Sequence, residues 1–120
     1  MKYMEKAKDI YDMSANGKML EAFEKYYHKD VVMEEATGEV RKGKDVNREF
    51  EKKFISTIKE FHGMGVKSIT SNENEGVTMV ESWMDATMSD GNRMKMEEVA
   101  VQRWLGDQII YEHFYYNAGK

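Results

Sequence analysis

Carboxylates and tryptophans alternate along the last forty or so residues of the chain, and this is the pattern most able to do chemistry. Asp85, Glu98 and Glu112 lie within runs that are typical of β-strands, and Trp83 and Trp104 lie in the same runs. A carboxyl group among apolar side chains has a raised pKa and can serve as a general acid or base. If these side chains share one face of a sheet, the pattern predicts an acid–base site beside aromatic surfaces.

The run from residue 77 to residue 116 predicts three consecutive antiparallel strands. Asp90-Gly91 joins the first two, and this dipeptide suits a tight two-residue turn with positive φ at both positions. A short loop at residues 105–107 joins the last two. The first two strands have about a dozen residues each, where roughly 5–6 is usual, so they must curve. The concave side of a curved sheet, next to helices, makes a pocket.

The turn at Asp90-Gly91 decides which side chains share a face. A two-residue turn pairs Trp83 with Glu98 and Asp85 with Met96. Because side chains alternate along a strand, one face then carries a mixed set of acidic and aromatic groups. This set is Glu81, Trp83, Asp85, Met96, Glu98, Ala100, Gln102 and Trp104.

The loop at residues 105–107 leaves two alternatives for the last strand. A three-residue loop adds to the same face Ile110, Glu112, Phe114 and Tyr116. A two-residue loop adds instead Ile109, Tyr111, His113 and Tyr115. The choice matters because a slip of one residue exchanges the two faces completely.

The first half of the chain predicts the elements that must pack against this sheet. Apolar groups recur at helical spacing in residues 3–14, 18–27 and 45–62, the last being the clearest helix. Short strands are predicted at residues 31–35 and 66–73. Helices early and strands late indicate an α+β fold with the helices on one face of the sheet.

Composition restricts the possible classes of function. The 120 residues, 41% of them hydrophobic and 33% charged, predict a single domain over residues 1–120. The absence of cysteine excludes disulfides, thiolate catalysis and zinc–thiolate sites. Acids and bases are interspersed at a net charge of −4, so no nucleic-acid partner is expected. No run suits a membrane span and no signal peptide is recognisable, so no membrane partner and a cytoplasmic location are expected.

No spacing typical of metal ligands, such as His-x-x-x-His, occurs, so neither a metal nor another cofactor is expected. The eleven methionines suit irregular core space or an adaptable apolar pocket lining. The charged run Glu51-Lys52-Lys53 is interpreted as the solvated face of a helix.

Three segments, in this order and spacing, resemble the SnoaL-like group of the nuclear transport factor 2-like superfamily. Residues 27–35 resemble the family's junction from the second helix to the first strand, and residues 41–45 resemble the entry to its third helix. Residues 103–112 resemble its last hairpin, although the usual Asp-Gly is here Gly106-Asp107. The resemblance implies a cone-shaped, cystatin-like α+β fold, with three N-terminal helices packed on a strongly curved antiparallel sheet.

The resemblance also implies roles for individual residues. It identifies the pocket with the face that carries Trp83, and it favours the three-residue loop. Glu35 matches the position of the general base of steroid isomerases, and Tyr11 lies within one residue of the family's pocket tyrosine. Ala100 stands where those isomerases carry a second acid, which argues against ketosteroid isomerisation. The predicted catalytic residues are therefore Glu35 and Asp85, and the predicted substrate-binding residues are Tyr11, Trp83, Glu98, Gln102, Trp104, Glu112 and Tyr116.

Two classes of function fit these observations. The first is a small-molecule-binding protein that acts on, or at least binds, an apolar or aromatic carbonyl compound, the catalytic form being an isomerase, cyclase or dehydratase. The second is a non-catalytic binding or dimerisation module whose cone is filled by its own side chains. An empty pocket of at least about 300 Å³ would favour the first class.

A homodimer through the outer face of the sheet is also predicted. Under the two-residue turn, an apolar patch lies opposite the pocket face, consisting of Met84, Ala86, Met88, Val99 and Val101. Exposed apolar patches usually mark interfaces, and a twofold contact is the commonest solution.

Overall fold

Three helices and six strands make up the computed structural model, which describes residues 1–119. The last residue of the predicted domain, Lys120, lies outside the described residues. The elements in chain order are α1 (Tyr3–Ala15), α2 (Met19–Tyr26), β1 (Tyr27–Glu34), β2 (Val40–Lys42), α3 (Lys44–Ser56), β3 (Ile58–Asn72), β4 (Val77–Met88), β5 (Arg93–Leu105) and β6 (Gln108–Tyr115). This order confirms the predicted α+β class.

The strands form one curved, unclosed sheet in the order β2-β1-β6-β5-β4-β3. Neighbouring strands are antiparallel except for β1 and β6, which pair in parallel. The helices cover the concave side, where the core is centred on buried side chains of Ile10, Phe23, Met33, Val80 and Ile109. No helix among the described residues is both long and apolar enough to cross a membrane.

The third helix is shorter than its sequence pattern predicts. It ends at Ser56 rather than at residue 62, and the chain then enters β3 at Ile58. Phe61, which has helical spacing, instead pairs with Ala86 across the sheet. At the helix end, the hydroxyl of Thr57 bonds back to the carbonyl of Phe54 at 2.6 Å. Strand pairing with β4 overrides the local helical pattern, which carries no stop signal before Gly63.

The hairpin between β4 and β5 has a three-residue loop, and the predicted two-residue turn is wrong. The amide of Met88 bonds the carbonyl of Asn92 at 2.8 Å, which closes the loop over Ser89, Asp90 and Gly91. A two-residue turn of the expected type needs positive φ at both central residues. Among the described residues only glycines have positive φ, so Gly91 alone takes this conformation, at 91°.

The longer loop moves β4 by one residue against β5. Ser82 now pairs with Glu98, and Met84 pairs with Met96. The β5 half of the predicted pocket face is therefore correct, while every β4 residue assigned to that face lies on the other side. Ser82 and Met84 take the inner places that were predicted for their neighbours.

In the hairpin between β5 and β6, Glu112 and Phe114 have the expected direction, but the loop length differs from the expected one. This loop is the two-residue turn Gly106-Asp107, but an irregularity in the register follows at once. Beyond it, Gln102 pairs with Glu112 and Ala100 pairs with Phe114. The extra residue in β6 restores the alternation, so Glu112 and Phe114 face the concave side as the three-residue alternative predicted.

The predicted dimer patch is divided between the two faces. Met84 borders the internal cavity and Ala86 is fully buried, so neither belongs to an outer patch. Val99 and Val101 do lie on the outer face, opposite Ala100 and Gln102 along β5. This correction follows from the same shift of one residue.

Candidate functional site

A cavity of about 860 Å³ lies between the helices and the concave face of the sheet. Its walls are mostly aromatic and methionine side chains, from Tyr11, Phe23, Phe50, Phe54, Met64, Met84, Met96 and Phe114. Its charged lining comes from Glu35, Arg41, Glu51, Glu98 and Glu112, together with the exposed Lys95 and Glu97. The cone is therefore not filled by its own side chains, and the space is within the range of small-molecule sites.

Glu98 lies on the inner face of β5, opposite Ser82. No hydrogen bond from the described residues reaches its carboxyl group. Burial raises the pKa of Glu98 to about 7, and the nearby carboxylates of Glu35 and Glu51 add to the effect. Near neutral pH such a group can both accept and release a proton, as acid–base catalysis requires.

Glu51 projects into the same cavity from α3. Burial raises the pKa of Glu51 to about 7, with Arg41 acting in the opposite direction and Glu35 in the same one. The interpretation of residues 51–53 as a solvated face is therefore wrong for Glu51 and right for Lys52 and Lys53, which are exposed. The flanking Phe50 and Phe54, which border the cavity too, are the sequence signal that could have identified this residue.

Glu112 is almost completely enclosed, with 1% of its surface exposed. As a carboxylate it accepts a hydrogen bond from the Tyr27 hydroxyl at 2.6 Å and another from the Gln102 amide at 2.8 Å. Burial raises the pKa of Glu112 to about 8, although both hydrogen bonds act to lower it. Glu112 is therefore mostly a neutral acid at pH 7.

Tyr11 lies on α1 with its side chain against this group of acids. Its hydroxyl is near Ser82 and Gln102, and burial together with the charges of Glu112 and Glu98 raises the pKa of Tyr11 well above its usual value. The phenol therefore stays protonated and can act as a hydrogen-bond donor in the cavity.

Glu35 belongs to an ion-paired cluster bordering the cavity. Its carboxylate contacts Arg41 Nη2 at 2.6 Å and accepts a hydrogen bond from the Tyr116 hydroxyl at 2.9 Å. Asn47 holds the Arg41 guanidinium from the other side, and the Phe50 ring lies 3.5 Å from it. Both oxygens of Glu35 therefore have partners.

Two of the predicted site residues lie away from the cavity interior. Asp85 is on the outer face, where it binds Arg93 at 3.0 Å. Trp83 is in the wall between Ser82 and Met84, but its indole lies on the outer face, over Gly65. The predicted placement of both on the pocket face is wrong, because the β4 register differs by one residue.

Two others lie behind the cavity wall. Trp104 is buried in the core, with its ring 5.5 Å from that of Tyr3. Gln102 is fully buried and bonds Glu112. The structure thus brings together around the cavity Tyr11, Glu35, Glu98, Glu112 and Tyr116 from the predicted set.

The sequence interpretation missed Tyr27, Arg41 and Glu51 as cavity residues. Tyr27 and Arg41 lie in the two segments that carry the family resemblance, but nothing in their local pattern indicates burial beside acids. Within the described residues, no three histidine, aspartate or glutamate side chains converge so that they could hold a metal ion.

The fold and the cavity now define the class of protein. The family model of the SnoaL-like domain matches residues 1–116, so the chain belongs to the SnoaL-like family. Comparison with curated proteins found no match.

Solved structures agree with this assignment. A proposed SnoaL-like polyketide cyclase from Mesorhizobium loti is 28% identical, with 97% of this chain and 100% of that chain covered and a TM-score of 0.80. A cystatin-fold protein from Novosphingobium aromaticivorans is 18% identical, with 96% and 98% covered and a TM-score of 0.78. An epoxide hydrolase from M. tuberculosis is 10% identical, with 96% and 82% covered and a TM-score of 0.77. The last two show the shared fold alone.

Proposed function

We propose that this protein is a cofactor-independent acid–base enzyme acting on a small, apolar or aromatic carbonyl compound bound in the cavity. The observation that carries the proposal is an apolar cavity of about 860 Å³ bordered by Glu51, Glu98 and Glu112. The pKa values of these three groups are raised to between about 7 and about 8. Strongly shifted acids that converge on a cleft are typical of catalytic sites.

Glu98 is the proton-transfer group in this proposal. In its ionised form it removes a proton from the carbon next to the substrate carbonyl, and the bonding electron pair moves toward the carbonyl oxygen to give an enolate. The Tyr11 hydroxyl donates a hydrogen bond to that oxygen. Glu98 then returns the proton to a different carbon of a conjugated enolate, which completes an isomerisation. In a ring closure, the enolate carbon instead attacks a second carbonyl carbon of the same molecule, and the proton of Glu98 goes to the alkoxide oxygen formed there. Membership of the SnoaL-like family supports this type of chemistry.

Glu35, which the family resemblance suggests as the base, is the alternative proton acceptor. Its two oxygens already bind Arg41 and Tyr116, whereas Glu98 has no such partner among the described residues. We therefore assign proton transfer to Glu98 and assign to Glu35 the orientation of Arg41 beside the cavity.

Hydrogen exchange into a ketone in D₂O tests the proposal without knowledge of the natural substrate. With 2-tetralone as probe, the wild-type protein should catalyse exchange of the protons next to the carbonyl, measured by ¹H NMR. Glu98→Gln keeps the shape of the side chain but removes the proton acceptor, so exchange should slow by at least about 10²-fold.

The matched control is Glu81→Gln, an exposed glutamate on the neighbouring strand β4 that pairs with Val99 on the outer face. This variant should exchange at the wild-type rate, and Glu35→Gln should lose less activity than Glu98→Gln. An unchanged rate in Glu98→Gln would reject the role of Glu98. Binding of aromatic ketones with no exchange in the wild type would favour the non-catalytic binding module.

A further inference from the structure

One continuous line of buried hydrogen bonds runs behind the cavity from Trp104 to Tyr27. The indole N–H of Trp104 donates to Thr78 Oγ1, Thr78 donates to Gln102 Oε1, and Gln102 Nε2 donates to Glu112 Oε2, each at 2.8 Å. The Tyr27 hydroxyl lies 2.6 Å from the other oxygen, Glu112 Oε1. All five side chains are buried.

The chemistry of the donors gives this line a single direction. An indole N–H can only donate, so Thr78 Oγ1 must accept from Trp104. The one proton of the Thr78 hydroxyl is then free for Gln102 Oε1. With its oxygen engaged by Thr78, the Gln102 amide must present N–H to Glu112. Reversing the amide would leave the Thr78 proton without a partner in a fully buried place, which is costly.

The orientation of Gln102 restricts where Glu112 can carry a proton. Oε2 accepts the Gln102 N–H, so the proton of the neutral acid belongs on Oε1, which faces Tyr27. When Glu112 donates this proton to the Tyr27 oxygen, Tyr27 accepts this hydrogen bond instead of donating one to Glu112, and its own hydroxyl proton can point elsewhere. Tyr27 borders the cavity, so that proton is available to a ligand.

We propose that Trp104, Thr78 and Gln102 are positioning residues that keep the proton of Glu112 on the oxygen facing Tyr27, so that the Tyr27 hydroxyl donates to a carbonyl oxygen in the cavity. The proposal names the subsite for the substrate oxygen and rests on the proposed function for the identity of that ligand. The arrangement of the five side chains can be tested without any ligand.

The subsite should depend on pH because Glu112 titrates. Besides Tyr27 and Gln102, the groups coupled to Glu112 are Tyr11 from α1, Glu98 from β5 and Glu51 from α3. The pKa of Glu112 is about 8, so below this pH it is neutral and Tyr27 donates to the ligand. Above it, the Glu112 carboxylate takes the Tyr27 proton for itself and the ligand loses a donor.

Infrared spectroscopy of acetophenone labelled with ¹³C at the carbonyl reads this donor directly, because a hydrogen bond lowers the stretching frequency. Bound to the wild-type protein, the probe should show its band at a lower frequency below pH 8, where Tyr11 and Tyr27 both donate, than above pH 8, where Tyr11 alone donates. In Tyr27→Phe the band should stay at the higher of these two frequencies at every pH. A wild-type band that does not move across pH 8, or the same movement in Tyr27→Phe, would overturn the assignment of Tyr27.

Glu112→Gln is the matched variant for the direction of the hydrogen bonds. Its amide oxygen can accept from Gln102 while its NH₂ donates to Tyr27, which imitates neutral Glu112 at all pH values. The lower frequency of the probe band should therefore persist above pH 8 in Glu112→Gln. Movement to the higher frequency above pH 8 in this variant, as in the wild type, would contradict the proposal.

The positioning residues are tested without ligand through the pKa of Glu112, followed by NMR of ¹³C-labelled carboxyl groups. Thr78→Val removes the donor that holds Gln102, so the amide can present its oxygen to Glu112 and favour the neutral acid. The pKa of Glu112 should then rise by about one unit or more. Thr78→Ser should restore the wild-type value, since it returns the hydroxyl.

The control is Thr87→Val, the same change on the same strand but on the outer face, where Thr87 contacts His62. It should leave the pKa of Glu112 unaltered. An unchanged pKa in Thr78→Val would reject the positioning role, and if that variant fails to fold, Gln102→Leu, which also removes the Gln102 donor, should raise the same pKa. Failure of all aromatic ketones to bind would count against the proposed function. The titration of Glu112 needs no ligand, so it would still decide whether Trp104, Thr78 and Gln102 have the positioning role.

Discussion

At the level of single residues, the cavity is unusual because three acids with raised pKa values border it, while its basic residues are the ion-paired Arg41 and the exposed Lys95. Glu51, Glu98 and Glu112 all border it, while the nearby Arg41 is already engaged by Glu35. Desolvation is the largest cause of the raised pKa in each of the three acids. Because these groups favour their neutral forms in the folded protein, stability is coupled to pH.

The sign of this coupling follows from the direction of the shifts. The ordinary pKa of a glutamate is 4.5, and Glu112 in the fold has a value of about 8. Its contribution to stability is fully present below pH 4.5 and is lost as the pH rises through about 8. The free energy of unfolding should therefore fall between pH 5 and pH 8.5, by an amount on the order of 3 kcal/mol.

Urea denaturation at the two pH values measures this fall. Glu112→Gln cannot ionise, so it should lose less stability than the wild type between pH 5 and pH 8.5. A wild-type protein that becomes more stable at pH 8.5, or a variant with the same pH dependence, would show that Glu112 is not kept neutral by the fold.

At the level of elements, the loop between β4 and β5 determines which side chains of β4 face the cavity. The three-residue loop at Ser89-Asp90-Gly91 turns Trp83 outward, where its indole rests on Gly65 of β3. A Cβ atom at position 65 would lie 2.9 Å from Trp83 Nε1, which is too close for real contacts. The outward position of Trp83 can therefore be tested from the neighbouring strand.

Gly65→Ala should displace the Trp83 indole and cost about 1–3 kcal/mol, the usual range for overpacking. Chemical denaturation measures the cost, and the shift in tryptophan fluorescence reports the displacement. Ser68→Ala, an exposed position on the same strand, is the control and should change neither quantity. If Gly65→Ala leaves both unchanged, Trp83 does not rest on β3 and the β4 register must be the one that the sequence predicts.

At the level of the whole molecule, the outer face of the sheet keeps the apolar character expected of an interface, though with different residues. Val101 lies between Met79 and His113 across the neighbouring strands, and Tyr115 stacks on His113 with ring centres 4.2 Å apart. Met79 and Tyr115 are 44% and 47% exposed, which is high for such side chains. Together these residues form a candidate surface for the predicted homodimer.

Val101→Glu should weaken that homodimer, because it buries a charge at the contact. Light scattering coupled to size-exclusion chromatography at micromolar concentration should show a dimer for the wild type and a larger monomer fraction for the variant. Leu105→Glu, at an exposed position near the hairpin end, should remain dimeric. A wild-type protein that runs as a monomer would reject the dimer.

The residue pattern alone was enough to predict the α+β class and the order of the main helices and strands. The inward direction of Glu98 and Glu112 was predicted only with the help of the family resemblance. Hydrophobic periodicity carries this information because each element must bury one face. The sequence also showed a pocket-forming sheet, since strands as long as β4 and β5 cannot stay flat. These properties are local or nearly so.

The β4 register, the end of α3 and the place of Glu51 depend instead on tertiary contacts. Side chains in a strand alternate with a period of two, so one extra loop residue moved Trp83 and Asp85 to the opposite face. That extra residue follows from the backbone conformation of Asp90, which its sequence neighbours do not determine. The raised pKa values of Glu51 and Glu98 arise in the same way, because these two groups are buried beside each other only after α3 packs over the sheet.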